Sequence, residues 1–211
     1  FSQEYDLRLL STLDIESVEI IKGAASALYG TNAVSAVINI KTRKSADAVI
    51  SGEFLYRMGT NQSAADQNYR LGNFTHAARA SGTLDKFSYS VGLTHDYADG
   101  LSSLTTNTNE EDPFSRIATQ IRLGYQVGDD LSLQLYGQEN RLHNDYDESF
   151  GFVDAPYRFV SRQQRAGIRA DYQYKSGSLQ LNAAYTEYDS QNFSAFPSVF
   201  KGDNLIADLF N

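Results

Sequence analysis

The sequence lacks several features that would point to particular classes of protein. It has no cysteine, so neither a disulfide framework nor a cysteine-ligated zinc or iron–sulfur site can form. It has 18 Lys and Arg and 26 Asp and Glu, and the net charge of −8 argues against a nucleic-acid-binding protein. No apolar run approaches the roughly 18 residues that a membrane-spanning helix needs. The polar, acidic opening, residues 1–6, is unlike a signal peptide.

Aromatic residues, by contrast, are abundant, with 14 Tyr and 12 Phe. A polar chain rich in Tyr favours β-structure with one wet and one apolar face over disorder. Residues 1–44 carry five acids and five bases, so the whole acidic excess lies in residues 45–211, which hold 21 acids and 13 bases. This change near residue 45 predicts two domains, residues 1–44 and residues 45–211.

The first domain contains a compact motif between two short strands. Residues 16–21 and 36–41 are rich in Val and Ile and are predicted strands, and they flank a run of helix formers that ends at Gly30. Thr31 and Asn32 follow that glycine, which excludes a Walker-type phosphate loop. The stretch Glu19–Ala33, EIIKGAASALYGTNA, and the following Val-Ile-Asn-Ile at 37–40 resemble the end of the plug domain of TonB-dependent outer-membrane receptors.

The resemblance implies a plug motif formed by Lys22, Gly23, Leu28, Tyr29, Gly30 and Asn39. The family has Arg, Pro and Gly-Gly where this chain has Lys22, Ala24 and Ser35-Ala36. The resemblance implies a latch between that Arg and carboxylates of the barrel wall, where the lysine of this chain supplies only a point charge. The alternative for Lys22 is an ordinary solvated side chain at a strand end.

The second domain reads as amphipathic strands joined alternately by short turns and long loops. The predicted strands are 46–58, 69–82, 86–97, 114–128, 131–145, 159–175 and 178–190. The short connections are 83–85, 129–130 and 176–177, and the long ones are 59–68, 98–113 and 146–158. Alternating short and long connections are typical of an outer-membrane barrel.

Apolar and polar residues alternate along these strands, which predicts one apolar face and one polar face. Phe87, Tyr89, Tyr125, Tyr172 and Tyr174 fall on the apolar face beside the short turns, as an aromatic girdle at the membrane boundary would. Arginines fall on the other face, which we expect to line a lumen because each would cost about 2–4 kcal/mol in lipid. A soluble β-sandwich or solenoid is the alternative, since it would bury an apolar face equally well.

Taken together, the fold class expected is all-β. It is a partial transmembrane antiparallel β-barrel of about seven strands from a larger, roughly 22-stranded barrel, preceded by the C-terminal part of an α+β plug domain. We therefore expect an internal part of a longer protein, ending at 204–211 in an outer loop. A small eight-stranded barrel with an N-terminal peptide is the alternative, but it leaves the plug-like motif unexplained.

The sequence contains no catalytic constellation, so we expect no enzymatic activity. His76, His95 and His143 lie on three different strands, and Ser26 is not in a nucleophile elbow. The acidic stretch Asp145, Asp147 and Glu148 offers oxygen ligands for a structural calcium ion, although no glycine follows where a calcium loop requires it. The alternative is a solvated acidic loop, and no other cofactor is expected.

By resemblance, the function is active import of a scarce ligand across the bacterial outer membrane. Ferric siderophores, haem, cobalamin and glycans are the ligand classes, and the TonB–ExbB–ExbD complex supplies the energy through a TonB box that this chain does not contain. Further expected partners are outer-membrane lipid, lipopolysaccharide and an accessory lipoprotein. The alternative is a barrel without active transport, as a passive channel, an adhesin or a subunit of a surface complex. The candidate ligand-binding residues are Gln120, Arg122, Gln134, Tyr136, Arg165, Arg169 and Asn182 in the lumen, with Tyr146, Phe150 and Tyr157 in the loops.

Overall fold

The computed structural model describes residues 14–23, 36–62, 69–100, 111–148 and 153–211. These residues form two compact units that divide between Lys44 and Ser45. Across the described ranges, no helix is long and apolar enough to span a membrane.

The first unit is a two-stranded antiparallel ribbon. Strands β1 (Ile15–Lys22) and β2 (Ala36–Thr42) pair with Ile20 opposite Ile38. Lys41 Nζ lies 2.7 Å from Glu16 Oε1 across the ribbon, on its exposed side. Both strands of the plug-like motif are therefore confirmed, whereas the helix predicted between them lies outside the described residues.

The second unit is a single eight-stranded antiparallel sheet. Its strands are β3 (Ser51–Gly59), β4 (Asn73–Leu84), β5 (Phe87–Ala98), β6 (Phe114–Gln126), β7 (Leu131–Glu148), β8 (Val153–Tyr174), β9 (Gly177–Phe193) and β10 (Ser198–Phe210). Each strand pairs with the next one along the chain, and β3 and β10 form the two edges of the sheet. Because these edges do not pair with each other, the sheet is an open part of a barrel wall and not a closed eight-stranded barrel.

Two predicted loops are strands in the structure. Residues 204–211, predicted to lie in an outer loop, belong almost entirely to β10, which pairs with β9 along its whole length. The predicted loop 146–158 is also wrong over its described residues, since β7 extends to Glu148, β8 begins at Val153, and Tyr146 lies opposite Tyr157. Pairing between neighbours stabilises these extensions although their sequences are polar.

The first barrel strand is shorter than expected, because residues 46–50 form a strap along the end of β4. The Thr83 backbone N–H donates to the Ala48 carbonyl at 2.9 Å, and Tyr89 Oη donates to the Val49 carbonyl at 3.0 Å. A Cβ added to Gly82 would lie 2.0 Å from the Val49 oxygen, so this close approach requires glycine.

Along most of each strand, side chains alternate between an apolar face and a polar face of the sheet. On β5, Val91 and Leu93 are 47% and 49% exposed, while Ser90 and Thr94 on the other face are 1% and 2% exposed. A soluble sandwich would bury the apolar face and expose the polar one. The observed arrangement is the reverse, as expected for a barrel wall that meets lipid on one side and a polar lumen on the other.

Candidate functional site

The predicted aromatic girdle is present on the apolar face. Phe87 lies opposite Tyr125, and both are close to the short connections at 85–86 and 127–130. The rings of Phe87 and Tyr89 stack 6.4 Å apart, and those of Tyr172 and Tyr174 stack 6.3 Å apart beside the turn at 175–176. Aromatic rings of this kind mark the level where a barrel wall leaves the hydrocarbon.

The candidate lumen residues share the polar face of the sheet. Gln134 lies opposite Arg169, which lies opposite Asn182 on the next strand. Arg122 lies opposite Tyr136, which is two residues along β7 from Gln134 and on the same face. Gln120 and Arg165 both flank Gln138, so the seven residues form one continuous patch over β6, β7, β8 and β9.

Tyrosine and arginine side chains are interlocked at the centre of this patch. Tyr136 Oη donates to Asn182 Oδ1 at 2.9 Å, and the guanidinium carbon of Arg165 lies 5.8 Å from the Tyr136 ring centre. Tyr136 can lie across β8 because Gly167 is opposite it, where a Cβ would come within 2.4 Å of the ring. The tyrosine is thus held in one position, which fixes the shape of the patch.

The arginines of the patch differ in how their charge is compensated. Arg169 donates from Nε and Nη2 to the two carboxylate oxygens of Asp171 at 2.8 and 2.9 Å. The Nε atom of Arg165 is buried with no hydrogen-bond partner in the described part of the chain. An unpartnered buried donor is costly unless water, a ligand or another protein segment meets it. Arg165 therefore presents the less compensated charge of these two.

The loop candidates lie where the two strands extend beyond the membrane region. Tyr146 and Tyr157 make an edge-to-face ring contact at 5.7 Å within the β7–β8 ladder, and Phe150 lies outside the described residues. Asp145 accepts hydrogen bonds from Arg158 at 2.9 and 3.2 Å and lies 2.9 Å from His143.

The predicted calcium site gains no support from these contacts. Asp145 is engaged with a guanidinium, while the backbone N–H of Ala155 donates to Asp147 at 3.3 Å. Among the residues that the structure places, no three His, Asp or Glu side chains are grouped to hold a metal ion. Calcium binding at Asp145, Asp147 and Glu148 stays a prediction.

A second acidic group lies at the same end of the sheet, around Asp112. Burial, together with the negative charges of Asp147, Asp154 and Asp145, raises the pKa of Asp112 to about 6. A hydrogen bond from the protonated form to the Asp147 carboxyl group raises the pKa in the same direction. The surrounding carboxyl groups therefore favour the protonated form of Asp112.

The plug motif is described only in part. Lys22 ends β1, Gly23 follows it with a φ of 110°, which favours glycine, and Asn39 Nδ2 lies 3.5 Å from Glu19 Oε2. Leu28, Tyr29 and Gly30 lie outside the described residues. The latch role of Lys22 stays a prediction.

Sequence reasoning missed one cluster, on the apolar face. Glu139 Oε1 accepts hydrogen bonds from Nε of Arg141 at 2.8 Å and from Nε of Arg162 at 2.6 Å. The signal in the sequence is the abrupt change on alternate positions of β7 from Leu133, Leu135 and Gly137 to Glu139 and Arg141.

Comparison with known proteins agrees with this geometry. Residues 1–37 match the family model for the TonB-dependent receptor plug domain. The chain is 29% identical over 98% of its length to the vitamin B12 transporter BtuB of Photobacterium profundum, and 33% identical over 84% of its length to an iron-regulated outer membrane virulence protein of Vibrio cholerae. It spans 32% and 19% of these relatives.

A solved structure shows the same fold. The siderophore receptor PirA of Acinetobacter baumannii superimposes with a TM-score of 0.71 over 97% of this chain and 32% of that one, at 17% identity. The match of a plug-domain sequence is therefore followed along the chain by strands with the fold of a receptor barrel. The chain is therefore similar to TonB-dependent outer-membrane receptors, with a plug-domain match at residues 1–37 and, after it, strands that have the fold of a receptor barrel wall.

Proposed function

We propose that the protein containing this chain imports a scarce ligand across the outer membrane, driven by the TonB–ExbB–ExbD complex. The observation that supports this is the continuity of a plug-domain sequence with a barrel wall whose polar face is rich in arginine. A plug closes the lumen to free diffusion, so passage needs work on the plug. The proposal is transport and not catalysis.

The ligand class we propose is a ferric siderophore or cobalamin. Relatives of this chain are named a vitamin B12 transporter and a rhizobactin receptor, and a structural neighbour is named a siderophore receptor. The patch around Tyr136 and Arg165 offers an aromatic ring, amide groups and a positive charge. Such groups suit a large ligand with carboxylate, catecholate or amide oxygens.

Uptake by the full-length protein tests this proposal. A host lacking its own receptors would express the protein and be given labelled cobalamin or a labelled ferric siderophore, with and without TonB. We expect uptake of one ligand, lost in the strain without TonB. Uptake that persists without TonB would instead indicate a passive channel, and binding without uptake would indicate a surface receptor or subunit that does not transport.

Two matched substitutions test the role of the polar-face patch. Arg165→Gln removes a charge to which the described residues supply no carboxylate partner, so we expect ligand affinity to fall roughly tenfold, the value of one lost charge-assisted hydrogen bond. Arg169→Gln removes a charge already compensated by Asp171, so we expect a smaller loss. Equal affinities for both variants and the wild type would place the ligand elsewhere.

A further inference from the structure

Two arginines lie directly opposite each other on the apolar face, just beyond its uncharged part. Arg141 on β7 is the ladder partner of Arg162 on β8. Like charges in this position destabilise a sheet. A single carboxylate oxygen, that of Glu139, accepts from Nε of both side chains at 2.8 and 2.6 Å. The two arginines, hereafter the guanidinium pair, carry two positive charges, and Glu139 carries one negative charge.

The hydrogen bonds to Glu139 leave most of each guanidinium available. Within the described ranges, each arginine uses Nε for this contact, so the terminal Nη groups of both can donate to a further acceptor. The two side chains are 59% and 50% exposed. A carboxylate that positions two guanidinium groups beside each other creates a site for an anion with several oxygens, such as a phosphate.

The height of the guanidinium pair on the wall indicates where such an anion would come from. Leu131 and Tyr172 are ladder partners close to the short turns, and Arg141 and Arg162 lie ten residues further along each strand. At about 3.3 Å per residue and a tilt of about 40°, this separation is about 25 Å along the membrane normal. That distance equals the height of the apolar band of a membrane barrel, about 25 Å.

The pair therefore lies where hydrocarbon gives way to lipid headgroups, at the end of the sheet that carries the longer connections. In outer-membrane barrels the longer loops are extracellular. The leaflet in question is thus the outer one.

A cavity of about 390 Å³ opens beside the guanidinium pair. Its lining combines the apolar side chain of Val160 with the polar groups of Ser115, His143 and Gln191. Asp189 also lines it, and its carboxylate is 3.1 Å from Lys201 Nζ, which compensates its charge. Hydroxyl, amide and imidazole groups beside an apolar wall suit a sugar ring, whose edges are polar and whose faces are not.

We propose that the guanidinium pair binds the phosphate of a phosphorylated glycolipid headgroup in the outer leaflet, with the attached sugar in the adjacent cavity. The two guanidinium groups of Arg141 and Arg162 donate to the phosphate oxygens, and Glu139 keeps them in place. Such a site fixes annular lipid against β7 and β8, and it is separate from the polar face that lines the lumen.

Lipid retention by the full-length receptor tests this site. The receptor would be purified in detergent, titrated with bisphosphorylated lipid A and analysed by native mass spectrometry. For Arg141→Gln/Arg162→Gln we expect affinity to fall roughly tenfold or more, since two charge-assisted contacts are lost. The matched control is Arg158→Gln, which removes a charge from the same strand and face. Because Asp145 already accepts two hydrogen bonds from Arg158, we expect a change of about twofold or less.

Several results would overturn the proposal. These are unchanged affinity in the double variant, an equal loss in Arg158→Gln, and equally tight binding of lipid A without phosphates. Equal competition by phosphatidylglycerol would show that the headgroup is that of a phospholipid. Folding is checked by the heat-dependent gel mobility of the barrel. If the double variant does not fold because Glu139 is left unpaired, the triple variant that adds Glu139→Gln removes that charge, and the same loss is expected.

Discussion

An arginine placed on either face of β10 should reveal which face meets lipid. Leu205 is 74% exposed on the apolar face opposite Tyr185, and Asn204 on the polar face lies opposite Thr186. The two positions are adjacent in sequence and have the same strand neighbours. Leu205→Arg and Asn204→Arg therefore add the same side chain at the same height, differing only in the face that receives it.

The expected difference follows from the position of Leu205 in the membrane. Tyr185, its partner, lies six residues along β9 from Leu179 near the short turn, which is about 15 Å along the membrane normal. That is close to the middle of an apolar band about 25 Å tall, where an arginine costs about 2–4 kcal/mol. A loss of about 3 kcal/mol in the free energy of unfolding lowers the folded-to-unfolded ratio roughly 150-fold, because each factor of ten corresponds to about 1.4 kcal/mol. Asn204→Arg should change the free energy of unfolding by less than about 1 kcal/mol.

Equilibrium unfolding of the full-length variants in lipid vesicles measures this difference. The folded fraction is followed by heat-dependent gel mobility across a denaturant series. If Leu205→Arg were as stable as Asn204→Arg, Leu205 would not meet hydrocarbon. If Asn204→Arg were the less stable variant, the assignment of the two faces would be reversed.

Two further predictions concern the ends of the sheet. Because the pKa of Asp112 is raised to about 6, the stabilisation that its protonated form gives to the contact with Asp147 is complete below about pH 4 and is lost as the pH rises through about 6. Asp112→Asn, which donates to Asp147 at any pH, should remove this dependence from the hydrogen exchange of the amides at the end of β7. An unchanged profile would contradict the prediction. Gly82→Ala should release the strap, because the added Cβ would lie 2.0 Å from the Val49 oxygen. We expect faster hydrogen exchange of the amides that are bonded to the strap. The control Gly59→Ala, whose Cβ would lie 3.8 Å from its nearest neighbour, should leave that exchange unchanged.

The strands that alternate cleanly were predictable from sequence, and those that do not were missed. Alternation is local, so β6 and β9 can be recognised without knowing their partners. In β10 the polar face carries Ile206 and Phe210 beside Asn204 and Asp208, which obscures the period of two. Its pairing with β9 over thirteen residues defines it as a strand, and that pairing is not local information.

The extension of β7 and β8 was missed for a related reason. The run from Asp145 to Glu148 is acidic, and in isolation it suggests a solvated loop. In the sheet, Asp145 lies opposite Arg158 and accepts hydrogen bonds from it at 2.9 and 3.2 Å. A charge that disfavours a strand by itself is thus compensated across the ladder.

The guanidinium pair shows most clearly what register adds to sequence. One ladder row runs through Tyr56, His76, His95, Ile117, Arg141, Arg162, Asp189 and Lys201, with rings at one end and charges at the other. His95 is eight residues from the turn end of β5 at Phe87, and Arg162 is twelve residues from the turn end of β8 at Tyr174. The tilt of the strands therefore carries the row from about 20 Å to about 30 Å above the turns. The row crosses the upper membrane boundary between β5 and β8, so its residues carry full charges from Arg141 onward.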